Sequence, residues 1–317
     1  MSETQTAIVG AGLIGRAWAI TFARAGHRVR MFDPAPGATA AALETIRGLT
    51  ADLEAQDMLA GATARDLTAR IAVADSLEAA LEGAAHVQEN APEDLETKRA
   101  LFATLDAAAP ADVVLASSTS ALLPSRFTED LAGRARCLVV HPINPPYLVP
   151  AVEVVPAPWS DPEIVTRTAD FMRAIGQAPI VMRREIDGFV MNRMQGALLQ
   201  EAFRLVDEGY ASTEDVDIGI RDGLGLRWAF MGPFETIDLN APGGVRDYVA
   251  RYRALFDNLW ATQTGEVTWS DALIDRMEAE RSARLPREDL AARQRWRDRR
   301  LMALNRHKRA AARDIES

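Results

Sequence analysis

Gln5-Thr-Ala-Ile-Val9-Gly10-Ala-Gly12-Leu13-Ile14-Gly15 stands near the start of the chain, and after one apolar segment comes Arg28-Val-Arg-Met-Phe32-Asp33. Residues 5–9 and 28–32 are short and mostly apolar in their cores, as strands are, and 16–25 between them is apolar without breakers, as a packed helix is. Strand, glycine turn, helix and second strand make a βαβ unit of the kind that binds dinucleotides. Gly10 permits the tight turn, Gly12 lets backbone approach a pyrophosphate, and Gly15 lets the helix lie close on the strand. Leu13 and Ile14 sit in the turn where the helix N-terminus offers unpaired N–H groups and the positive end of its dipole. Asp33 lies 18 residues beyond Gly15. There a carboxylate accepts hydrogen bonds from a ribose and repels a 2′-phosphate. No basic residue follows it closely, so NAD is expected rather than NADP, with FAD a minor option.

Working outward, residues 38–74 read as a helical excursion. Strands then recur at 84–88, 112–116 and 137–140, with a helix at 95–108 between the first two. Such alternation predicts a mostly parallel, doubly wound sheet of Rossmann type. In these sheets the site lies at the carboxyl ends of the strands. Glu89 and Asn90, the run 117–120 and His141 all fall there, beside Asp33. Taken alone, the serine-rich run reads as turn chemistry. A helix over 161–175 and a strand over 179–182 complete the first part. From Gly188 the pattern is helical only, which predicts a boundary near Asp187: an NAD-binding domain over 1–187 and an all-helical domain over 188–317. In the second part Ser212 and Asp215 have capping-box spacing, and 223–235 reads as a glycine-rich loop.

His141-Pro-Ile-Asn144-Pro-Pro-Tyr-Leu-Val-Pro-Ala-Val-Glu153 joins two apolar runs through a segment stiffened by Pro142, Pro145, Pro146 and Pro150. Glu153 stands between valines, where a buried carboxylate is costly without a partner. His141 is the nearest good candidate, and a carboxylate-held histidine suits a general base. The alternative is an unrelated histidine and carboxylate, and this stretch alone leaves both open.

The apolar share is 48% and the charged share 26%, ordinary for a globular protein. A single cysteine, Cys137, cannot close an internal disulfide, which points to a reducing compartment. No signal peptide and no membrane span are expected, and a cytoplasmic location follows as the expectation. Net charge is −9, but Arg281 to Arg313 holds twelve Arg or Lys against three Asp or Glu, so the rest carries about −18. That tail reads as a helix with a solvated face rather than a nucleic-acid segment.

On the tracts 10–33, 117–120, 141–153, 188–193 and Met231-Gly-Pro-Phe-Glu235, the chain resembles the 3-hydroxyacyl-CoA dehydrogenase family over essentially its whole length. The runs Ser-Ser-Thr-Ser120, His141-Pro-Ile-Asn-Pro-Pro-Tyr, Gly225-Leu-Arg-Trp-Ala-Phe and Asp289-Leu-Ala-Ala-Arg-Gln-Arg-Trp resemble its L-gulonate 3-dehydrogenase (lambda-crystallin) branch. Ser118 stands where the acyl-CoA enzymes usually carry Asn. The resemblance implies NAD-dependent oxidation of a 3-hydroxyl in a small hydroxy acid, with His141 as base and Glu153 as its partner. It implies that Ser120 and Asn192 hold the substrate oxygen, that Asn144 lies in the same active-site loop, and that Glu93 and Lys98 contact the nicotinamide side. Ser118 belongs with the cofactor residues on the same footing. Arg227, with Arg193 behind it, is the candidate cation for a substrate carboxylate; a structural ion pair is the alternative. No metal is expected, and the resemblance assigns the substrate side and a homodimer interface to the helical domain over 188–317. An acyl-CoA or carnitine substrate, and a non-catalytic crystallin-like role, remain the alternative readings.

Overall fold

The computed structural model describes residues 4–265 and 267–315. These form two compact units: the chain up to Arg193 together with Asp298–His307, and Met194–Arg297 together with the chain from Lys308 on.

The first unit is built on one eight-stranded sheet: β1 Gln5–Val9, β2 Arg28–Phe32, β3 Ile71–Val73, β4 Ala84–Glu89, β5 Val114–Ser117, β6 Cys137–Pro142, β7 Ala151–Pro156 and β8 Ala178–Val181. The order is β3-β2-β1-β4-β5-β6-β7-β8. Every neighbouring pair is parallel except β6 and β7, which run antiparallel. The helices are α1 Leu13–Arg24, α2 Ala38–Ala55, α3 Ala64–Ala69, α4 Leu77–Leu81, α5 Leu95–Ala108, α6 Pro124–Thr128 and α7 Pro162–Ala174, followed by α8 Met191–Asp207. Alternate residues of one strand feed two separate cores. Ile8, Leu138 and Val140 pack on one face, and Ala7, Val9, Cys137 and Val139 on the other. Burial on both faces is why these strands read as continuous apolar runs rather than alternating ones.

The stretch 38–74 is not helical throughout. After α3, whose N-cap Thr63 forms a reciprocal capping box with Asp66, Ile71–Val73 becomes the edge strand β3, with Ile71 opposite Val29. Three residues, two of them exposed, are too few to leave a period in the sequence.

The second unit is helical: the later part of α8, then α9 Thr213–Ile218, α10 Gly225–Trp228, α11 Pro233–Leu239, α12 Gly244–Thr262, α13 Asp271–Arg284 and most of α14 Leu290–Ile315. Ser212 caps α9 in a box with Asp215. The stretch 223–235, expected as a loop, is largely helical, because a π-helical turn at Gly219–Leu224 runs into α10. That wide turn brings position 225 so close that a Cβ there would stand 2.7 Å from the Ile220 carbonyl oxygen. Glycine therefore marks a close approach here, not a break. The segment Asp298–His307 of α14 counts with the first unit, where Met302 is buried and Asn305 Nδ2 donates to the Leu148 carbonyl at 2.8 Å.

The first unit also buries a histidine. Gln88 Nε2 donates to Ser118 Oγ at 2.8 Å and to the Val140 carbonyl at 3.1 Å. Its Oε1, 2.9 Å from His86 Nε2, is therefore the acceptor, and His86 carries its proton on Nε2. Burial pushes the His86 pKa down from 6.5 to about 4. Between those values the unfolded chain binds a proton that the folded one refuses, so stability falls as pH falls through that window. At pH 5 the loss from this one group is about 2 kcal/mol. Chemical denaturation at pH 7 and pH 5 should show a decrease in unfolding free energy smaller by about that amount in His86→Phe than in the wild type.

Candidate active site

The turn that follows β1 is shaped by close approaches. Gly10 has φ +96°, and a Cβ there would stand 2.7 Å from the Asn90 carbonyl oxygen. A Cβ on Gly15 would stand 1.9 Å from the Gly10 oxygen, so helix α1 can lie on the turn only with glycine there. Gly12 is the opposite case: nothing lies within 4 Å of its Cβ position. Gly12 is also the N-cap of α1 without a side-chain cap, and Leu13 beside it is exposed. A helix N-terminus with open space before it fits a pyrophosphate. Asp33, at the end of β2, accepts from Ala11 N at 2.7 Å through Oδ2 and from Ala35 N at 2.9 Å through Oδ1. A carboxylate tied to the glycine turn fits a ribose diol, because each oxygen keeps a second lone pair.

A buried ion pair joins the end of β4 to helix α5. Lys98 Nζ lies 2.9 and 3.0 Å from the two oxygens of Glu89 and 3.3 Å from the Ala91 carbonyl. Lys98 is 1% exposed and Glu89 fully buried. Glu89 also accepts from Ser117 Oγ and from Ala91 N, both at 2.5 Å. All three ammonium protons have acceptors, so Lys98 braces the turn after β4 from inside. Ser118 is equally engaged: Oγ accepts from Trp18 Nε1 at 3.1 Å and from Gln88 Nε2, and donates to Asn90 Oδ1 at 2.8 Å. Glu93 Oε1 accepts from Ser120 N at 3.1 Å, Ala121 N at 3.0 Å and Leu122 N at 3.4 Å, and from Thr119 Oγ1.

His141 and Glu153 stand directly opposite each other across the antiparallel pair β6–β7. Nδ1 of His141 is 2.6 Å from Oε2 of Glu153. Glu153 is fully buried and His141 6% exposed. The other carboxylate oxygen, Oε1, accepts from Val190 N at 2.6 Å and Met191 N at 2.8 Å, at the entry of α8. Glu153 is thus an acceptor in every one of these contacts, and His141 Nδ1 is left to donate. Nε2 is then the nitrogen free to take a proton.

Two features of this entry are missed by the sequence. Phe189, in the stretch read as helical from Gly188 on, lies before α8 in the left-handed region at φ +50°, fully buried with its ring 5.6 Å from the imidazole. That conformation costs a bulky residue about 1–2 kcal/mol. It turns the next two N–H groups onto Glu153, and backbone donors carry no residue signature. One residue into α8, Asn192 Nδ2 donates to the Ser120 carbonyl at 2.7 Å.

The first unit therefore brings together His141, Glu153, Ser120, Asn192 and Glu93. Asn144 is half-buried on the loop between β6 and β7. Arg193 is exposed, and one of its side-chain nitrogens lies 3.4 Å from the Asp187 carbonyl. Arg227 is exposed on α10 of the second unit. Cys137 is buried, and burial pushes its thiol up to about 12, so it stays a protonated packing group. Among the described residues, no group of three or more His, Cys, Asp or Glu is placed to hold a metal ion, and no helix is long and apolar enough to cross a membrane.

The chain is similar to known proteins along most of its length. Residues 5–186 match the family "3-hydroxyacyl-CoA dehydrogenase, NAD binding domain", and residues 188–283 match "3-hydroxyacyl-CoA dehydrogenase, C-terminal domain". The chain is 46% identical to a lambda-crystallin homolog of Bos taurus, covering 94% of each. It is 36% identical to an L-carnitine dehydrogenase of a Pseudomonas species, covering 94% of this chain and 92% of that one. Among solved structures, an NAD-dependent dehydrogenase of a 5-formyl-3-hydroxy-2-methylpyridine carboxylic acid superposes with a TM-score of 0.82 at 27% identity, covering 96% of this chain and 98% of that one. The cofactor is NAD.

Because the Cβ position of Gly12 meets only open space within the protein, Gly12→Ala should leave the melting temperature within about 2 °C of wild type. It should nevertheless weaken NAD binding by about tenfold or more in a fluorescence titration, because the added methyl occupies the pyrophosphate's path.

Proposed function

The chain belongs to the 3-hydroxyacyl-CoA dehydrogenase family of NAD-dependent oxidoreductases, and from that premise we propose that it oxidises the 3-hydroxyl of a small, L-gulonate-like hydroxy acid to the 3-keto acid. The observation that carries the reaction is the His141–Glu153 contact at 2.6 Å, with the second oxygen of Glu153 held by Val190 N and Met191 N. NAD, when bound, supplies the nicotinamide carbon that accepts the hydride. His141 Nε2 takes the hydroxyl proton, and Nδ1–H donates to Glu153, whose negative charge stabilises the imidazolium. Ser120 Oγ and Asn192 hold the substrate oxygen. The Asn192 amide nitrogen bonds the Ser120 carbonyl, so one residue also fixes the position of the other.

The turn 10–15, with Leu13 and Ile14 in it, and Asp33 hold the adenosine and pyrophosphate part of the cofactor. On the nicotinamide side, Lys98, expected as a direct contact, is buried with its ammonium on Glu89 and the Ala91 carbonyl, so it and Ser118 act through the packed network that shapes the turn after β4, with Glu93 and Asn144 on neighbouring loops. Arg227 is the proposed anchor for the substrate carboxylate, because a guanidinium binds carboxylates in a planar, bidentate manner.

The substrate class rests on the branch resemblance and on the higher identity to lambda-crystallin and its homologs, 41–46%, than to L-carnitine dehydrogenases, 36–37%. Carnitine is the second reading on that same similarity, and a 3-hydroxyacyl-CoA the third. A purely structural, NAD-binding role would not require the base, its carboxylate and two oxygen-binding groups together. We place the chemistry in the cytoplasm. The 1–187 region serves as the NAD domain, and 188–317 builds the substrate side and a homodimer. The 19-residue helix α12 has no buried residue, and Val245, Val249, Tyr252, Leu255 and Leu259 are all exposed along it. A second copy of the chain would cover such a stripe.

The test is NADH formation by purified protein, with L-gulonate, L-carnitine, 3-hydroxybutyrate and 3-hydroxybutyryl-CoA side by side, on a sample whose solution mass is expected at about twice the chain mass. The expected outcome is a kcat/KM for gulonate at least about tenfold above the others, reduced about tenfold or more in Arg227→Met through KM. Preference for the CoA ester would overturn the substrate class and make Arg227 a structural residue.

A further inference from the structure

We propose that Glu93 is a positioning residue: its carboxylate fills a pocket of backbone N–H groups in the turn that carries Ser120, and so sets where the serine hydroxyl stands. The inference rests on the reading of Ser120 as the group that holds the substrate oxygen.

The amides of Ser120, Ala121 and Leu122 all point at one atom, Oε1 of Glu93, at 3.1, 3.0 and 3.4 Å. Successive N–H groups converging on one point form a concave anion site. Such a nest usually receives a phosphate or carboxylate from a ligand. Here the anion comes from the chain itself, 27 residues earlier. Thr119 completes the arrangement, since its hydroxyl donates to the same Oε1 and accepts from Leu122 N at 3.0 Å.

Glu93 is itself held firmly. Pro92 precedes it, and Asp94 follows as the N-cap of α5, accepting from Thr97 N at 2.8 Å. Two residues earlier, Ala91 is tied to the buried Glu89–Lys98 pair. The brace inside the sheet therefore extends through residues 91–94 to the Ser120 turn. On its far side the Ser120 carbonyl accepts from Asn192 Nδ2. The Ser120 backbone is thus pinned at both ends: its N–H by Glu93, and its C=O by Asn192. Glu93 is exposed and Asn192 half-buried. Together they remove the freedom that would let the Ser120 hydroxyl wander from a reactive geometry.

A residue that contacts the cofactor and one that fills the nest behave differently on removal. Glu93→Ala empties the nest but leaves Asp33 and the glycine turn untouched. The experiment measures four quantities: the NAD dissociation constant by titration, steady-state kinetics with the hydroxy acid that the wild type turns over best, amide hydrogen exchange over 119–122, and rescue by millimolar formate.

The proposal expects the dissociation constant to stay within about twofold, kcat to fall about ten- to hundredfold, and exchange of the Ser120–Leu122 amides to rise at least about tenfold. Formate should restore part of kcat by occupying the vacated nest. Glu93→Gln, which keeps an acceptor oxygen, should fall between the two. Glu93→Ala combined with Ser120→Ala should be no more than about threefold worse than Ser120→Ala alone, because Glu93 acts through the serine. An NAD dissociation constant raised tenfold with unchanged amide exchange would overturn the proposal and make Glu93 a direct cofactor contact. If the wild type turned over no hydroxy acid, the reading of the reaction would fail, while the exchange measurement would still decide whether Glu93 holds the Ser120 turn.

Discussion

A buried carboxylate with three donors is the constraint on which this site depends. Glu153 has no exposed surface, and an unpaired carboxylate in such a place is destabilising by several kcal/mol. Its partners come from two separate elements: the imidazole of His141 across the β6–β7 pair, and the Val190 and Met191 amides at the entry of α8. Satisfying it forces the rest. Strands β6 and β7 run antiparallel in an otherwise parallel sheet, and His141 and Glu153 share a register position across them. Phe189 must adopt a left-handed conformation so that two consecutive N–H groups turn toward one oxygen. The entry of α8 is then fixed, and with it Asn192, which reaches back to Ser120.

Much of this was legible in the chain, for reasons that differ from residue to residue. The glycine positions 10 and 15 speak plainly because each makes a contact that only a residue without a Cβ can make. The buried strands speak through continuous apolar runs, because both faces of the sheet are covered. The cost of burying Glu153 called for a partner and made His141 a candidate, but the stretch alone left the pairing open, and it was the family resemblance that favoured it. Other features left no trace. Strand β3 is too short to show a period, and it forms because β2 offers it an edge. The π-helical turn at Gly219–Leu224 has glycines that read equally well as a loop, and only the packing of Gly225 on Ile220 distinguishes them. The amides that hold Glu153 belong to the backbone. The saturation of Ser118 depends on Trp18, a hundred residues away, and that of Lys98 on a carboxylate in a neighbouring strand.

The polar groups at the strand ends divide into layers with separate tasks. Deepest are Glu89 and Lys98, an ion pair with nearly no solvent contact, which gives the turn after β4 a fixed base. Above it, Ser118, Asn90 and Gln88 form a network that links the ends of β4 and β5 to Trp18 of α1. The groups with capacity left for a ligand are the half-buried Asp33 and the open space before Gly12 on one side, and the Nε2 of the buried His141 and the exposed Ser120 hydroxyl on the other. Rigid internal layers of this kind let a few exposed groups be placed accurately, which hydride transfer requires because its geometry tolerates little error.

The central claim is that His141 acts as a base because Glu153 holds and charges it. The most direct measurement is the steady-state turnover of Glu153→Gln, with NAD binding titrated on the same preparation. Glutamine keeps the size of the side chain but replaces a carboxylate oxygen with an N–H₂ group and removes the negative charge. NAD affinity should remain within about twofold of wild type while kcat falls by about a thousandfold or more. A Glu153→Gln enzyme that folds, binds NAD and retains kcat within about tenfold of wild type would contradict the account.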